Sequence, residues 1–139
     1  MQLRKSRATV RSGFTLMELL VVVAILVVLA GAAVPIYMTH LETAKKSTAW
    51  ATAKTIETQC KAYRLTNGDY PASLQELAHP SDGSAPLMEE KDLKDPWQRE
   101  YMYANPGQHS TLGVPDIWST GSTAGQDAQI GNWLPTAPK

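Results

Sequence analysis

Cysteine is almost absent from this chain of 139 residues, which contains only Cys60. A single cysteine excludes an internal disulfide and a metal cluster built on thiolates. A domain outside the cytoplasm would therefore have to be stabilised by packing or by a bound ion. We interpret Cys60 as an ordinary helix-face residue, because a free cysteine behaves as a small apolar side chain.

Basic residues are scarce beyond the N-terminus. The formal net charge is zero, but four of the thirteen basic residues precede residue 14 and all thirteen acidic residues follow it. The remaining nine basic residues therefore leave a charge of about −4 on the rest of the chain. A basic stripe is the electrostatic requirement for nucleic-acid binding, so the charge distribution excludes that function.

Catalytic patterns are also missing. The sequence has no glycine-rich phosphate loop, no Gly-x-Ser-x-Gly and no His-Glu-x-x-His. His40, His79 and His109 are far apart, and none has a partner at metal-ligand or general-base spacing. We interpret each histidine as a surface or turn residue and expect no enzymatic activity.

A long apolar run begins at Leu19. Its 18 residues, 19–36, include no polar side chain. As a helix, the run would be about 27 Å long, which approaches the hydrocarbon thickness of a bilayer. The basic residues Arg4, Lys5, Arg7 and Arg11 precede it. The positive-inside rule therefore predicts one membrane pass with the N-terminus in the cytoplasm.

Glu18 places a carboxylate at the edge of this apolar run, where a charge is costly and usually functional. If the chain is cut after Gly13, the new α-amino group of Phe14 lies about one turn away on the same helix face. The amine of a neighbouring subunit could approach equally closely. Such pairing would neutralise the carboxylate and fix the register between subunits. The alternative is that Glu18 extends to the lipid headgroups.

The residues around this position resemble the class III signal of type IV pilins and their pseudopilin relatives. That resemblance implies cleavage between Gly13 and Phe14 by a prepilin peptidase, N-methylation of Phe14, and retention of the apolar helix as a fibre core. Pro35 lies where such helices carry a proline, which would bend the helix and loosen it locally. The matching motif is Gly13-Phe14-Thr15-Leu16-Met17-Glu18-Leu19-Leu20.

The rest of the chain predicts an α+β fold, in which a long N-terminal helix packs on a small antiparallel sheet. A helix over residues 14–65 is indicated by an apolar stripe at alternating spacings of four and three. Asn67-Gly68 would end this helix, because both residues tolerate a left-handed backbone. The stripe consists of Ala49, Ala53, Ile56, Cys60 and Tyr63.

Shorter elements follow the long helix. Ser73 and Glu76 have the spacing of a capping box and predict a helix over residues 73–78. We interpret residues 79–95 as a loop with at most a short helical turn. Residues 100–104 and 116–120 are candidate strands, and residues 119–131 form a polar loop.

A series of landmarks resembles the major pseudopilin of type II secretion over nearly the whole chain. Each landmark is weak alone, but their shared order is specific. One departure is Gln98, because the tryptophan of that family is usually followed by glycine. The landmarks are Asn67-Gly68-x-Tyr70-Pro71, Asp95-Pro96-Trp97, Tyr101-x-Tyr103, Pro106-Gly107-x-His109, Asp116-Ile117-x-Ser119-x-Gly121 and Ile130-Gly131-Asn132-Trp133.

This resemblance implies a structural subunit with three parts. Residues 1–13 would be a cytoplasmic leader peptide that is removed, residues 14–37 a transmembrane and fibre-core helix, and residues 38–139 a periplasmic pilin-like domain. The partners would be further copies of the chain, minor pseudopilins, the prepilin peptidase and N-methyltransferase, and an assembly platform in the bacterial inner membrane. Two alternatives remain, a type IV or competence pilin and a small secreted binding domain released by signal peptidase at Ala32.

Calcium is the cofactor that the resemblance implies, held in the loop before the Ile-Gly-Asn-Trp motif. The sequence departs from that pattern, because Thr123 and Gln129 stand where aspartates are usual. Asp116 and Asp127 remain the only candidate carboxylate ligands, whereas calcium prefers six to eight oxygens. We therefore expect a loop stabilised by its own hydrogen bonds and keep calcium as the alternative.

Overall fold

A computed structural model of the protein describes residues 13–109, 113–122 and 129–138. The chain divides into two units, Met1–Met38 and Thr39–Lys139. The predicted site residue Asp127 and the neighbouring Thr123 lie outside the described residues.

Helix α1 spans Leu16–Asn67. It begins two residues later than predicted, because Thr15 caps its first turn, and it ends two residues later. Asn67 extends it by donating from Nδ2 to the Tyr63 carbonyl at 3.1 Å. Gly68 then takes a left-handed conformation with φ of 89° and donates its N–H to the Arg64 carbonyl, which is the predicted stop signal.

The first unit contains the apolar part of α1. An 18-residue window of this helix has a mean hydropathy of 3.0, and none of it is buried. The helix is therefore long and apolar enough to cross a membrane. Pro35 lies inside the helix, which continues on both sides of it.

The second unit contains the predicted apolar stripe. Ala49, Ala53, Ile56 and Cys60 are fully buried. Of these, the last three belong to the main hydrophobic cluster, and Tyr63 packs against it. Their partners come from the shorter elements and the sheet: Leu74, Leu77, Ala78, Leu93, Tyr101 and Ile117. The prediction that the second half of the long helix packs on a small sheet is confirmed.

Two short helices lie between α1 and the sheet. Helix α2 spans Gln75–Ala78, and a 3₁₀ helix spans Glu90–Leu93 within the predicted loop. The predicted capping box of α2 is wrong, since its N-cap is Leu74 and makes no side-chain cap. Glu76 accepts hydrogen bonds from the hydroxyl of Tyr63 and the N–H of Ala72 instead, both at 3.1 Å.

The sheet has three antiparallel strands in the order β1-β2-β3. Strand β1 spans Met102–Ala104, β2 spans Asp116–Ser119, and β3 spans Ile130–Gly131. Strand β1 is shorter than predicted because Glu100 pairs with Lys94 in an isolated bridge rather than with β2. Strand β3 lies in the Ile-Gly-Asn-Trp motif, for which no strand was predicted.

A tight turn over residues 95–99 precedes β1. The Asp95 N–H donates to the Arg99 carbonyl at 2.7 Å, and the Gln98 N–H donates to the Asp95 carbonyl at 2.9 Å. Gln98 has φ of 66°, a conformation that glycine adopts more readily. The departure at Gln98 therefore leaves the turn in place but adds backbone strain to it.

Replacing Gln98 by glycine should relieve this strain. We expect Gln98→Gly to stabilise the folded state by about 0.5–1 kcal/mol, after allowance for the greater freedom of glycine in the unfolded chain. Thermal unfolding should show this as a rise in Tm. Gln108→Gly is the matched control, because Gln108 is exposed and lies outside the left-handed region, so this change should lower Tm. A lower Tm for Gln98→Gly would contradict the claim that Gln98 strains the backbone of this turn.

Candidate functional site

The predicted cleavage junction lies just before α1. Gly13, Phe14 and Thr15 have no helical conformation, and the Phe14 side chain is 90% exposed. A β-carbon built on Gly13 would meet no atom of the described residues within 4 Å. Within the described residues, the Gly13–Phe14 peptide bond is thus exposed and lies outside the helix.

Glu18 lies in the first turn of α1 and forms a reciprocal capping box with Thr15. The Thr15 N–H and hydroxyl donate to Glu18 Oε2 at 2.8 and 3.0 Å. In return, the Glu18 N–H donates to Thr15 Oγ1 at 3.2 Å. This role of Thr15 was not predicted, although Thr-x-x-Glu before an apolar run is its recognised signal.

Behind this cap, the surface of α1 is apolar on all sides. Leu16, Val28 and Ile36 are each at least 60% exposed, and the large apolar residues between them are exposed as well. A solvated surface of this kind is unfavourable in water, at roughly 25 cal/mol for each Å². The segment therefore requires lipid or other apolar helices around it.

In the second unit, Asn132 joins β2 to α1. Its Oδ1 accepts from the Ile117 N–H at 3.0 Å, and its Nδ2 donates to the Pro115 carbonyl and to Glu57 Oε2, both at 3.0 Å. Lys61 also donates to Glu57, at Oε1. Burial alone would raise the pKa of Glu57, but these hydrogen bonds outweigh it and lower the pKa below its usual 4.5.

Asp95 joins the turn before β1 to the end of β2. Its carboxylate accepts from the N–H groups of Trp97 and Arg99 at 3.0 and 2.8 Å, and from the hydroxyl of Ser119 at 2.6 Å. Ser119 Oγ also accepts from the Gly121 N–H at 3.1 Å. The landmark residues of two separate motifs are thus partners in one network.

Asp116, a predicted metal ligand, holds the turn at residues 106–109. Its Oδ2 accepts from the N–H groups of Gln108 and His109 at 2.7 and 3.0 Å and lies 2.8 Å from His109 Nδ1. The His109 ring stacks on Trp133 with centroids 4.0 Å apart. His109 is a turn residue, as predicted, and the fold brings it to Asp116, a contact that its spacing in the sequence did not indicate.

Gly107 fits closely in the same turn. A β-carbon at this position would overlap the Val114 carbonyl and would come within 2.6 Å of Asp116 Oδ1. The close approach of backbone to carboxylate explains why this landmark requires glycine. The other two histidines behave as predicted: His40 is exposed on α1, and His79 is exposed, with Nε2 3.7 Å from Glu90.

Calcium does not fit the described part of this region. Two N–H groups and the imidazole converge on Asp116 Oδ2, and these donors oppose a cation there. Asp116 Oδ1 is buried and has no hydrogen-bond partner within the described residues, but one free oxygen falls far short of the six to eight that calcium prefers. Among residues 13–109, 113–122 and 129–138, no three His, Cys, Asp or Glu side chains lie close enough to share a metal ion.

The buried side chains with reactive atoms serve the core. Cys60 is buried, and burial together with the charge of Glu57 raises the pKa of its thiol to about 12. The Tyr101 hydroxyl donates to the Ala49 carbonyl, and burial raises its pKa to about 12. The Tyr103 hydroxyl donates to the Pro71 carbonyl at 2.7 Å, and burial raises its pKa as well. None of these groups ionises near neutral pH.

Comparison with protein families gives two matches that together span most of the chain. Residues 36–133 match the family described as type II secretion system (T2SS), protein G. Residues 9–34 match the prokaryotic N-terminal methylation motif. The second match contains the Gly13–Phe14 junction and Glu18.

Individual relatives give a consistent result. The type II secretion system core protein G of Pseudomonas aeruginosa is 36% identical over 135 residues, which cover 88% of this chain and 95% of that protein. The core protein G of Pectobacterium carotovorum is 35% identical over 137 residues, covering 87% of this chain and 83% of that protein.

A solved structure shares the fold. The crystal structure of the major pseudopilin from the type 2 secretion system of enterohaemorrhagic Escherichia coli matches with a TM-score of 0.53 and 26% sequence identity. The match covers 69% of this chain and 88% of that chain. The long N-terminal helix packed on a three-stranded antiparallel sheet is thus a pilin-like fold.

The lowered pKa of Glu57 makes stability depend on pH. Its contribution is present above the unfolded pKa and is lost as the pH falls through the lower, folded pKa. Because Glu57 is only partly buried, we expect this contribution to be about 0.5–1 kcal/mol. Thermal unfolding at several pH values should show a steeper loss of stability below about pH 4.5 for the unmodified chain than for Glu57→Gln. Glu100→Gln, at an exposed acid outside this network, is the control, and equal slopes for all three would contradict the argument.

Proposed function

Because this chain belongs to the type II secretion system protein G family, the major pseudopilins, we propose that it polymerises through its N-terminal helix into a pseudopilus that drives protein export. The family is structural rather than enzymatic. In this proposal, a prepilin peptidase removes residues 1–13 and the new N-terminus at Phe14 is methylated. Residues 14–37 then cross the bacterial inner membrane before they enter the fibre core, and residues 38–139 fold in the periplasm.

The observation that supports this proposal most is the combination of Glu18 with the exposed apolar surface behind it. The apolar surface requires an apolar environment, which both lipid and a bundle of identical helices provide. A carboxylate at the start of the helix requires a polar or charged partner in that environment. A helical fibre supplies one, because the α-amine of each processed subunit carries the opposite charge.

Only one of the two carboxylate oxygens of Glu18 takes part in the capping box. Oε2 accepts both hydrogen bonds from Thr15, and Oε1 has no hydrogen-bond partner within the described residues. We propose that Oε1 receives the α-amine of a neighbouring subunit. An axial shift of one subunit would leave both charges unpaired in an apolar bundle, and this penalty would fix the register. Pro35 would be the place where the helix adjusts on leaving the lipid.

The partners in this proposal are further copies of the chain, minor pseudopilins, the peptidase that also methylates, and the inner-membrane assembly platform. The family match favours a pseudopilus over a type IV or competence pilus. The methylation motif at residues 9–34 favours prepilin processing over signal-peptidase cleavage at Ala32.

The mass of the processed chain tests the cleavage site. We expect the mature protein, isolated from membranes, to begin at Phe14 and to carry one N-methyl group. Gly13→Leu should block processing, because a branched side chain hinders the close approach of the backbone to the protease. Mass spectrometry of the N-terminal peptide is the measurement. A mature chain that begins at Ala33 would instead support a secreted domain.

The charge of Glu18 is tested by two variants that differ in capping. Glu18→Gln retains an oxygen that accepts from Thr15, whereas Glu18→Ala retains none. We expect both variants to be processed largely normally, and both to lose fibres by about two orders of magnitude, because each leaves the amine unpaired at a cost of about 3 kcal/mol. Quantification of sheared fibres by immunoblot is the measurement.

Glu90→Gln is the matched control for these variants, because Glu90 is an exposed acid in the second unit. It should assemble normally. Normal fibres from Glu18→Gln together with none from Glu18→Ala would show that capping, rather than charge, is what assembly needs. Normal fibres from both would refute the charge pair.

A further inference from the structure

The turn at residues 95–99 contains a partly buried basic residue, with its side chain 31% exposed, beside a buried carboxylate. The Asp95 side chain is fully buried, and Arg99 Nε lies 3.9 Å from its Oδ2. Within the described ranges, Arg99 supplies the only basic group within 4 Å of this carboxylate. A carboxylate inside a protein requires a compensating charge, and Arg99 provides it.

We infer that the Arg99 guanidinium is the cation that fixes Ser119 and Gly121 at the end of β2 in this chain, and that the described fold of the second unit does not depend on calcium. This inference goes beyond the proposed function, because it concerns how the subunit holds its shape.

The network leads from Arg99 to the residues that follow β2. Arg99 lies 3.9 Å from Asp95, Asp95 accepts a hydrogen bond from the hydroxyl of Ser119 at 2.6 Å, and Ser119 accepts one from the N–H of Gly121 at 3.1 Å. Gly121 is buried. The guanidinium thus acts on Gly121 through one carboxylate and one hydroxyl, at the start of the loop in which the family resemblance places calcium.

The charge of Arg99 also opposes a second cation. Its Nε and Nη2, which form one edge of the planar guanidinium, are buried and donate no hydrogen bond to any residue that the structure describes. This edge is positive and only partly neutralised by Asp95 at 3.9 Å. A calcium ion placed nearby would be repelled, since charges inside a protein are screened far less than in water.

The candidate ligands lead to the same conclusion. Asp116 Oδ2 is already in contact with three nitrogen atoms of the turn at residues 106–109 and is therefore not free to bind an ion. In the sequence between β2 and β3, Asp127 is the only carboxylate, and Thr123 and Gln129 replace the aspartates expected there. These residues would bind calcium poorly, because they offer few carboxylate oxygens. The permanent positive charge of Arg99 makes a bound calcium ion unnecessary.

Thermal unfolding of the full mature chain in detergent micelles tests the inference. The Tm of the unmodified chain should be the same in EGTA and in millimolar calcium chloride. Arg99→Gln should lower Tm by about 4–8 °C under both conditions, the shift expected for the loss of one moderate interaction in a small domain. Arg99→Lys should give a smaller decrease, because it retains the charge but loses the planar edge.

Lys94→Gln is the matched control, because it removes a basic side chain next to Asp95 that is exposed to solvent. Its Tm should be unchanged. The inference is overturned if calcium raises the Tm of the unmodified chain, or if Arg99→Gln and Lys94→Gln give the same Tm.

A binding measurement keeps the test independent of whether the variants fold. Terbium replaces calcium in oxygen sites, and Trp118 or Trp133 would sensitise its luminescence if it bound near the end of the sheet. We expect the unmodified chain to give no sensitised emission. Emission that calcium competes away would overturn the inference. Neither measurement involves fibres, so a failure of the assembly proposal would leave this result unaffected.

Discussion

The side chain of Asn132 is the link on which the second unit depends. It bonds to Ile117 and Pro115 on the sheet side and to Glu57 on α1. The sheet it fastens has strands of only three, four and two residues. A sheet of this size makes few backbone hydrogen bonds and buries little apolar area. Buried polar side chains therefore have to complete the attachment of the sheet to α1. Asp95 and Asp116 serve the same purpose at the two adjoining turns.

Sequence reasoning succeeded where the structure is periodic or local. The apolar stripe from Ala49 to Cys60, the stop at Asn67-Gly68 and strand β2 all follow from spacing or from the conformational preference of one residue. It failed where a residue from another element takes the hydrogen bond that a local motif would have used. The capping box at Ser73 is absent because Glu76 bonds to Tyr63 on α1, thirteen residues away.

The polar networks could not be derived from the sequence for the same reason. Asn132 and Glu57 are separated by 75 residues, and Trp50 donates to the carbonyl of Leu134 across 84 residues. Spacing along the chain carries no signal for such pairs. The resemblance to major pseudopilins nevertheless identified most of the residues involved, since its landmarks include Asp95, His109, Asp116, Ser119 and Asn132. The structure adds what each landmark does: they bond to one another and fasten the turns to the sheet.

Burial of Cys60 has a consequence for the compartment in which this domain is proposed to fold. Enzymes that form disulfides in the periplasm act on thiols that are accessible and partly ionised. Cys60 is neither, because it is fully buried and its pKa is about 12. Once folded, the subunit offers no thiol through which it could be oxidised or joined covalently to another protein. Many copies could therefore accumulate side by side in an oxidising environment and remain free of mixed disulfides.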